Sequence, residues 1–472
     1  MAFRVFCLSC ALASALCSLM PAHRVAAAEP AAGNDDLSRP RLVIVIPDAF
    51  EPALDEYVQY RSQKYQVQVI RLSQALSGPG VDGPERLKRC LYRLWQQPGG
   101  PLAVLLVGDA DQIPVRYMVL DRVTEPAFDY AFYPSDHYYA DVARDDGSFD
   151  DWNASKEGFH ANYFGEVRGE KHKDDPINFD QVSYVPELAV GRWPVSSVAE
   201  ITAVIGKTLA YERGLSEQTA RRGKALAVMV GGWIDARPQM DQFASGLEPQ
   251  FEVERLFFRD ANPRWIESIE PTAAAVLARL SSPEPVRIVL HAGHGQDHAW
   301  ESCISTADLL ALRQTASPAV VMSAGCSTAR FATLPPYEAY VDTEGTIHAG
   351  TNHGEVFREP PPPPSVYARG IYNKSGLGEE LVRLETGGAV VYVGCNTGSQ
   401  PAAMTLMAGL ADALSAGPLK FPTVGDCWKH ALGEYYRREH LAQLKPTESW
   451  YPASIFFQGM KFMYFGDPCV GY

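Results

Sequence analysis

The sequence predicts an α/β protein with mainly parallel sheets, built as two units. Three observations lead there. Short runs of β-branched and aliphatic residues recur at 42–46, 102–107, 225–230, 286–290, 319–322 and 389–393, as expected of strands buried on both faces. Helical stretches alternate with them, and that alternation implies parallel pairing through right-handed crossovers. The chain has 472 residues, more than one hydrophobic core accommodates comfortably.

The first unit opens with strand 42–46, a helix over 51–64 carrying Leu54, Tyr57 and Val58 on one side, and a strand holding Val67, Val69 and Ile70. Helix 83–97 and strand 102–107 continue the rhythm. Residues 117–185 break it, being rich in Asp, Tyr and Gly. A helix follows at 196–213, with Ser196 or Ser197 as N-cap. The second unit reads as strand 225–230, helix 238–248, strand 252–257, helix 271–281 and then strands 286–290 and 319–322. Segment 335–370, with proline at every position of 360–364, reads as a stiffened surface insertion that starts near the same sheet end and suits a flap. Helix 378–386 and strand 389–393 resume the sheet.

The first residues follow other rules. Arg4 precedes an apolar run over 5–20, and Ala26, Ala27 and Ala28 stand before Glu29. A charged start, a short apolar stretch and a small-residue exit predict a secretory signal peptide over 1–28, with a membrane anchor as the alternative. Residues 29–40 then form a loose leader, and the expected location is secreted, periplasmic or at the cell surface. Removing 1–28 takes two of the 42 basic side chains and none of the 56 acidic ones, leaving 40 against 56 and a net charge of −16. Such a chain offers phosphates no basic field, so nucleic acid is not an expected partner. No later stretch is long and apolar enough to span a membrane. The six cysteines beyond residue 28 show no CxxC pair, which argues against zinc. Their even count permits three disulfides, but a catalytic thiol would leave an odd number.

Functional groups in open α/β sheets gather beyond the carboxyl ends of the strands. Strand 286–290 runs into His291-Ala292-Gly293-His294-Gly295, and strand 319–322 into Ser323-Ala324-Gly325-Cys326. If these strands are neighbours, His294 approaches Cys326. A thiol near its ordinary pKa of about 8.5 is mostly protonated at neutral pH. A neighbouring imidazole activates it and later protonates the leaving amine. Gly295 and Gly325 allow close backbone approach, and the amides of Gly295 and Cys326 would point at a developing oxyanion. His291 is a rival base standing nearer its strand, and Cys395, after the apolar run 390–393, is a second thiol at a strand exit.

An apolar strand into Gly-His-Gly followed by one into a small residue and Cys resembles the peptidase clan of caspases, legumains and gingipains. Ordered blocks make the resemblance to gingipains specific: LLVGDADQIP at 105–114, SDHYYAD at 135–141, PELAVGRWPV at 186–195 and FGDP at 465–468. The resemblance covers about 42–470 and implies two caspase-like, Rossmann-like three-layer subdomains. The first, 41–215 with acidic loop 136–166, would be non-catalytic; the second, 224–472 with insertion 335–370, would be catalytic.

By the same resemblance His294 is the base, Cys326 the nucleophile, and the Gly295 and Cys326 amides the oxyanion hole. The activity implied is a cysteine endopeptidase acting on proteins or peptides through a thioester. A sortase-like transpeptidase and an inactive binding homologue are the alternatives. The family orients its histidine with a carboxylate near the start of the catalytic subdomain, where Asp235 is the stand-in. Its arginine-cleaving members meet the substrate with a helix aspartate, for which Asp241 occupies the corresponding helix. Asp141, Asp145, Asp150, Asp151, Asn153 and Glu157 supply hard oxygens suited to structural calcium. The glycine of a sharp calcium loop is missing there, with Lys156 nearest, and a solvated acidic loop is the alternative.

Overall fold

Alternation along the first strand sends Leu42, Ile44 and Ile46 into one apolar cluster and Val43 and Val45 into another, and both clusters are buried. A sheet covered on both faces is therefore built in from its first residues. The computed structural model describes residues 38–119, 132–152, 177–178, 181–217, 222–312, 317–334, 338–341, 347–348, 376–445 and 451–472.

The main sheet has ten strands. In chain order they are β1 (Arg41–Ile46), β2 (Gln66–Arg71), β3 (Leu102–Val107), β4 (Ala189–Trp193) and β5 (Gly223–Met229), followed by β6 (Phe251–Phe257), β7 (Val286–Ala292), β8 (Ala319–Ser323), β9 (Ala389–Cys395) and β10 (Phe462–Gly466). Across the sheet the order is β2-β1-β3-β4-β10-β9-β8-β7-β5-β6. The strands of the two predicted units thus join in one continuous sheet. β10 makes the seam, parallel to β4 and antiparallel to β9.

Helices cover both faces. One carries α1 (Asp55–Arg61), α3 (Val198–Glu217), α5 (Ala273–Leu280) and α6 (Leu377–Arg383). The other carries α2 (Gly83–Trp95), α4 (Arg237–Leu247), α7 (Ala403–Ala416), α8 (Val424–Arg438) and α9 (Tyr451–Gln458). This is the expected mainly parallel three-layer α/β architecture. Ser197 settles the choice of N-cap for α3, because its hydroxyl accepts from the Glu200 amide at 3.3 Å. Sequence reading missed β4, α7, α8, α9 and β10.

The blocks that carry the family resemblance are buried ionic joints. Arg192 donates to both oxygens of Asp136 at 2.7 Å and to the Gly108 carbonyl at 2.7 Å. Asp109 accepts from Arg383 of α6 at 2.6 Å, and Asp467 pairs with Arg61. The last two pairs tie early residues to late ones across the seam. Burial pushes the carboxyls of Asp109 and Glu379 up, and Arg383 between them opposes that rise.

None of Cys90, Cys303, Cys326, Cys395, Cys427 and Cys469 is disulfide-bonded. Among the described residues no helix is long and apolar enough to cross a membrane. The expected signal peptide, and the insertion apart from residues 338–341 and 347–348, lie outside the described residues.

Candidate active site

β7 and β8 are adjacent and parallel, and their register pairs Leu290 with Met322 and His291 with Ser323. His294 lies three residues beyond His291, and Cys326 three beyond Ser323. Equal overhang from paired positions puts both residues on neighbouring turns beyond the sheet's carboxyl end. The two turns touch. A methyl group added at Gly295 would lie 2.9 Å from the Cys326 amide nitrogen and 2.6 Å from its carbonyl oxygen. One added at Gly325 would lie 3.1 Å from the Gly295 Cα. Gly295 admits no side chain, because the Cys326 backbone occupies that space, and Gly325 has little room for one.

The neighbouring strand exits hold both groups. β5 runs beside β7 and exits at Gly231-Gly232, where the Gly232 carbonyl lies 2.8 Å from Nε2 of His294. A carbonyl only accepts, so Nε2 carries the proton and Nδ1 is left as the basic nitrogen. β9 runs on the other side of β8 and exits toward Ser399. The Ser399 amide donates to the half-buried Cys326 Sγ at 3.3 Å. Gln458 at the end of α9 clamps that loop. Its Oε1 accepts from the Gln400 amide at 3.1 Å and its Nε2 donates to Ser399 Oγ at 3.2 Å. Ser327, just past the cysteine, sits at φ 57° with its amide bonded to the Thr397 carbonyl at 2.8 Å. That left-handed conformation is uncommon outside glycine and marks a tightly specified turn.

The rivals are elsewhere. His291 is fully buried, stacks on Trp300 at 4.1 Å and meets Ser323 Oγ at 2.9 Å. Burial pushes its pKa down to about 3, so it stays neutral at working pH. Cys395 is fully buried within β9 and paired with Phe462.

Residues 35–471 match Peptidase family C25. The chain belongs to that family. It is a cysteine peptidase, as its sequence blocks imply. No curated protein matches the chain, but solved structures share its fold. The crystal structure of the Arg specific cysteine proteinase gingipain R (RgpB) is similar with TM-score 0.58 and 14% identity, over 93% of this chain and 79% of that one. The complex of Porphyromonas gingivalis RgpB pro- and mature domains gives 0.58 and 14%, over 91% and 79%. A structure titled "Structure of Protease" gives 0.57 and 15%, over 91% and 78%.

Two expectations drawn from the C25 resemblance need correction. Asp235 does not orient His294: both its oxygens accept from Arg237 at 2.8 Å, and the ring is held instead by the Gly232 carbonyl. Asp241 is not poised for a substrate cation, because it already pairs with Arg255 at 2.7 Å and Arg264 at 2.6 Å.

Of the expected calcium ligands, Asp141 and Asp150 accept hydrogen bonds from the protein's own groups. Asp141 accepts from Trp152 Nε1 and the Tyr184 amide at 2.9 Å and from Ser183 Oγ at 2.5 Å. Asp150 accepts from the Ser183 amide at 2.7 Å. The cation near both is Lys88, enclosed by Tyr138 at 4.4 Å, Trp152 at 4.9 Å and Phe149 at 5.5 Å. Asp145 and Asp151 complete no metal-holding group among the described residues, and Asn153 and Glu157 lie outside them.

Proposed function

We propose that this C25 peptidase is an exported endopeptidase with Cys326 as nucleophile and His294 as its base. The observation that carries the reading is the β7–β8 register, which overhangs the two residues equally from paired strands. Nδ1 of His294 takes the thiol proton, and the sulfur attacks the scissile carbonyl. The amides of Gly295 and Cys326, on touching turns, receive the oxyanion, the largest single contribution in acyl transfer. The C–N bond then breaks, the imidazolium protonates the departing amine, and a thioester remains on Sγ. Water, deprotonated by His294, cleaves the thioester and restores the thiol. The Ser399 amide stabilises the sulfur while it is anionic.

The test is hydrolysis of a mixed peptide library by wild type, Cys326→Ala and His294→Ala. Both variants should fold and lose about 10³-fold or more in kcat/KM. Wild-type rates in Cys326→Ala would refute the assignment. Export rests on the apolar run and small-residue exit in 1–28. Sequencing the amino terminus of protein recovered outside the cytoplasm tests it, with a start near Glu29 expected and an intact Met1 contradicting it.

A further inference from the structure

Gly325, the residue before Cys326, is held at both ends by hydroxyls. Thr328 Oγ1 donates to its carbonyl at 3.2 Å, and its amide donates to Ser323 Oγ at 3.2 Å. Thr328 and Ser323 are fully buried. A buried hydroxyl is costly unless it is paired, and both of these pair with the same backbone residue.

A peptide group is planar, and in the trans form its C=O and N–H point opposite ways. The Gly325 carbonyl and the Cys326 N–H belong to one such group. Whatever fixes that carbonyl therefore fixes the direction of that N–H. A hydrogen bond on the carbonyl also polarises the group and makes the N–H a stronger donor. Thr328 is itself held firmly enough to act this way. The Ser327 and Ala329 amides on either side donate to the carbonyls of Thr397 at 2.8 Å and Cys395 at 2.9 Å. Its own carbonyl accepts from the Gly378 amide at 3.0 Å. Its methyl group packs against both turns of the site. A methyl group added at Gly295 would lie 2.5 Å from Thr328 Cγ2, and one added at Gly325 would lie 3.1 Å from it.

We propose that Thr328 and Ser323 are positioning residues for the oxyanion site. Their hydroxyls hold Gly325 so that the Cys326 N–H points at the developing charge, with Thr328 exerting the larger effect. Both act through Gly325, because neither is exposed to a substrate. The inference rests on the catalytic reading, in which the Cys326 amide receives the oxyanion.

The experiment compares wild type, Thr328→Val, Thr328→Ser and Ser323→Ala in two reactions at Cys326. Addition of Sγ to a peptide aldehyde turns the carbonyl oxygen into the tetrahedral oxygen that the amide meets. Alkylation by iodoacetamide forms an S–C bond as iodide leaves, and no such oxygen develops. Thr328→Val should weaken aldehyde binding about 10-fold or more, and Ser323→Ala should weaken it several-fold. In both variants the alkylation rate should stay close to that of wild type. Thr328→Ser, which keeps the hydroxyl, should retain most of the aldehyde affinity. Unchanged aldehyde affinity in Thr328→Val and Ser323→Ala overturns the proposal. So does a fall that alkylation shares equally, or a loss as large in Thr328→Ser as in Thr328→Val. If Thr328→Val does not fold, Ser323→Ala decides by the same split between the two reactions. Wild type that forms no aldehyde adduct on Cys326 would instead sink the catalytic reading, and the proposal with it.

Discussion

The backbone amide of Ser399 donates to the sulfur of Cys326 at 3.3 Å, and Gln458 fixes the loop that presents it. A hydrogen bond to a charged group is worth about 1.5–3 kcal/mol, and about 1.4 kcal/mol corresponds to one pH unit. Gln458→Leu removes both clamping bonds and loosens the loop that touches the sulfur, so alkylation of Cys326 at neutral pH should slow several-fold. The readout is the rate of iodoacetamide alkylation of Cys326 against pH. An unmoved profile with a lowered Tm would reduce Gln458 to a packing role.

His294 is held by the Gly232 carbonyl and not by a carboxylate. Asp235→Asn should therefore leave kcat within a few-fold of wild type, although weakening the pair with Arg237 will lower Tm slightly. A 100-fold fall in kcat at unchanged fold would mean that Asp235 acts on the histidine after all.

The strand exits that carry His294 and Cys326 were legible because each follows an unmistakable apolar strand and is flanked by glycine. The parts that missed are backbone groups and distant partners. The Gly232 carbonyl and Ser399 amide carry no side-chain signature, and Arg255 and Arg264 meet Asp241 only in the folded chain. α7 escaped because its buried positions run almost all round the helix, from Ala403 and Met404 to Ala413 and Leu414, which leaves no clear stripe to read. β10 enters the sheet centre antiparallel after a run of helices, and local pattern does not announce such a return.

Burial holds His291 neutral, with its pKa pushed down to about 3 against 6.5 for the ordinary group. The sign is that of a depressed pKa: below about pH 6.5 the unfolded chain takes up a proton that the folded one refuses. Its stabilising contribution is complete above that pH and is lost as pH falls toward 3, by about 1.4 kcal/mol per unit. Unfolding free energy measured from pH 7 to 4.5 should fall less steeply in His291→Gln than in wild type, whatever the cost of the substitution at pH 7. Parallel curves would show that His291 titrates normally.

Arg383 joins α6 to Asp109, which follows β3. Removing one partner of a buried pair costs about 3–5 kcal/mol, so Arg383→Met should lower the denaturant midpoint sharply. Its folded fraction should keep kcat within a few-fold of wild type, since α6 meets the turn after Cys326 through its first residues, the Gly378 amide on the Thr328 carbonyl at 3.0 Å, whereas Arg383 stands at its last. Equal loss of kcat at low temperature, where the variant is folded, would place the joint in the catalytic machinery.

The central claim is that Cys326 is the nucleophile and His294 its base. Wild type, Cys326→Ala, His294→Ala and His291→Ala should be treated with a peptidyl electrophile and the modified residue located by mass spectrometry. The expected result is a single adduct on Cys326 in wild type and His291→Ala, none in Cys326→Ala, and labelling slowed at least 100-fold in His294→Ala. An adduct on Cys395, or labelling of Cys326 that depends on His291 and not on His294, would contradict the account.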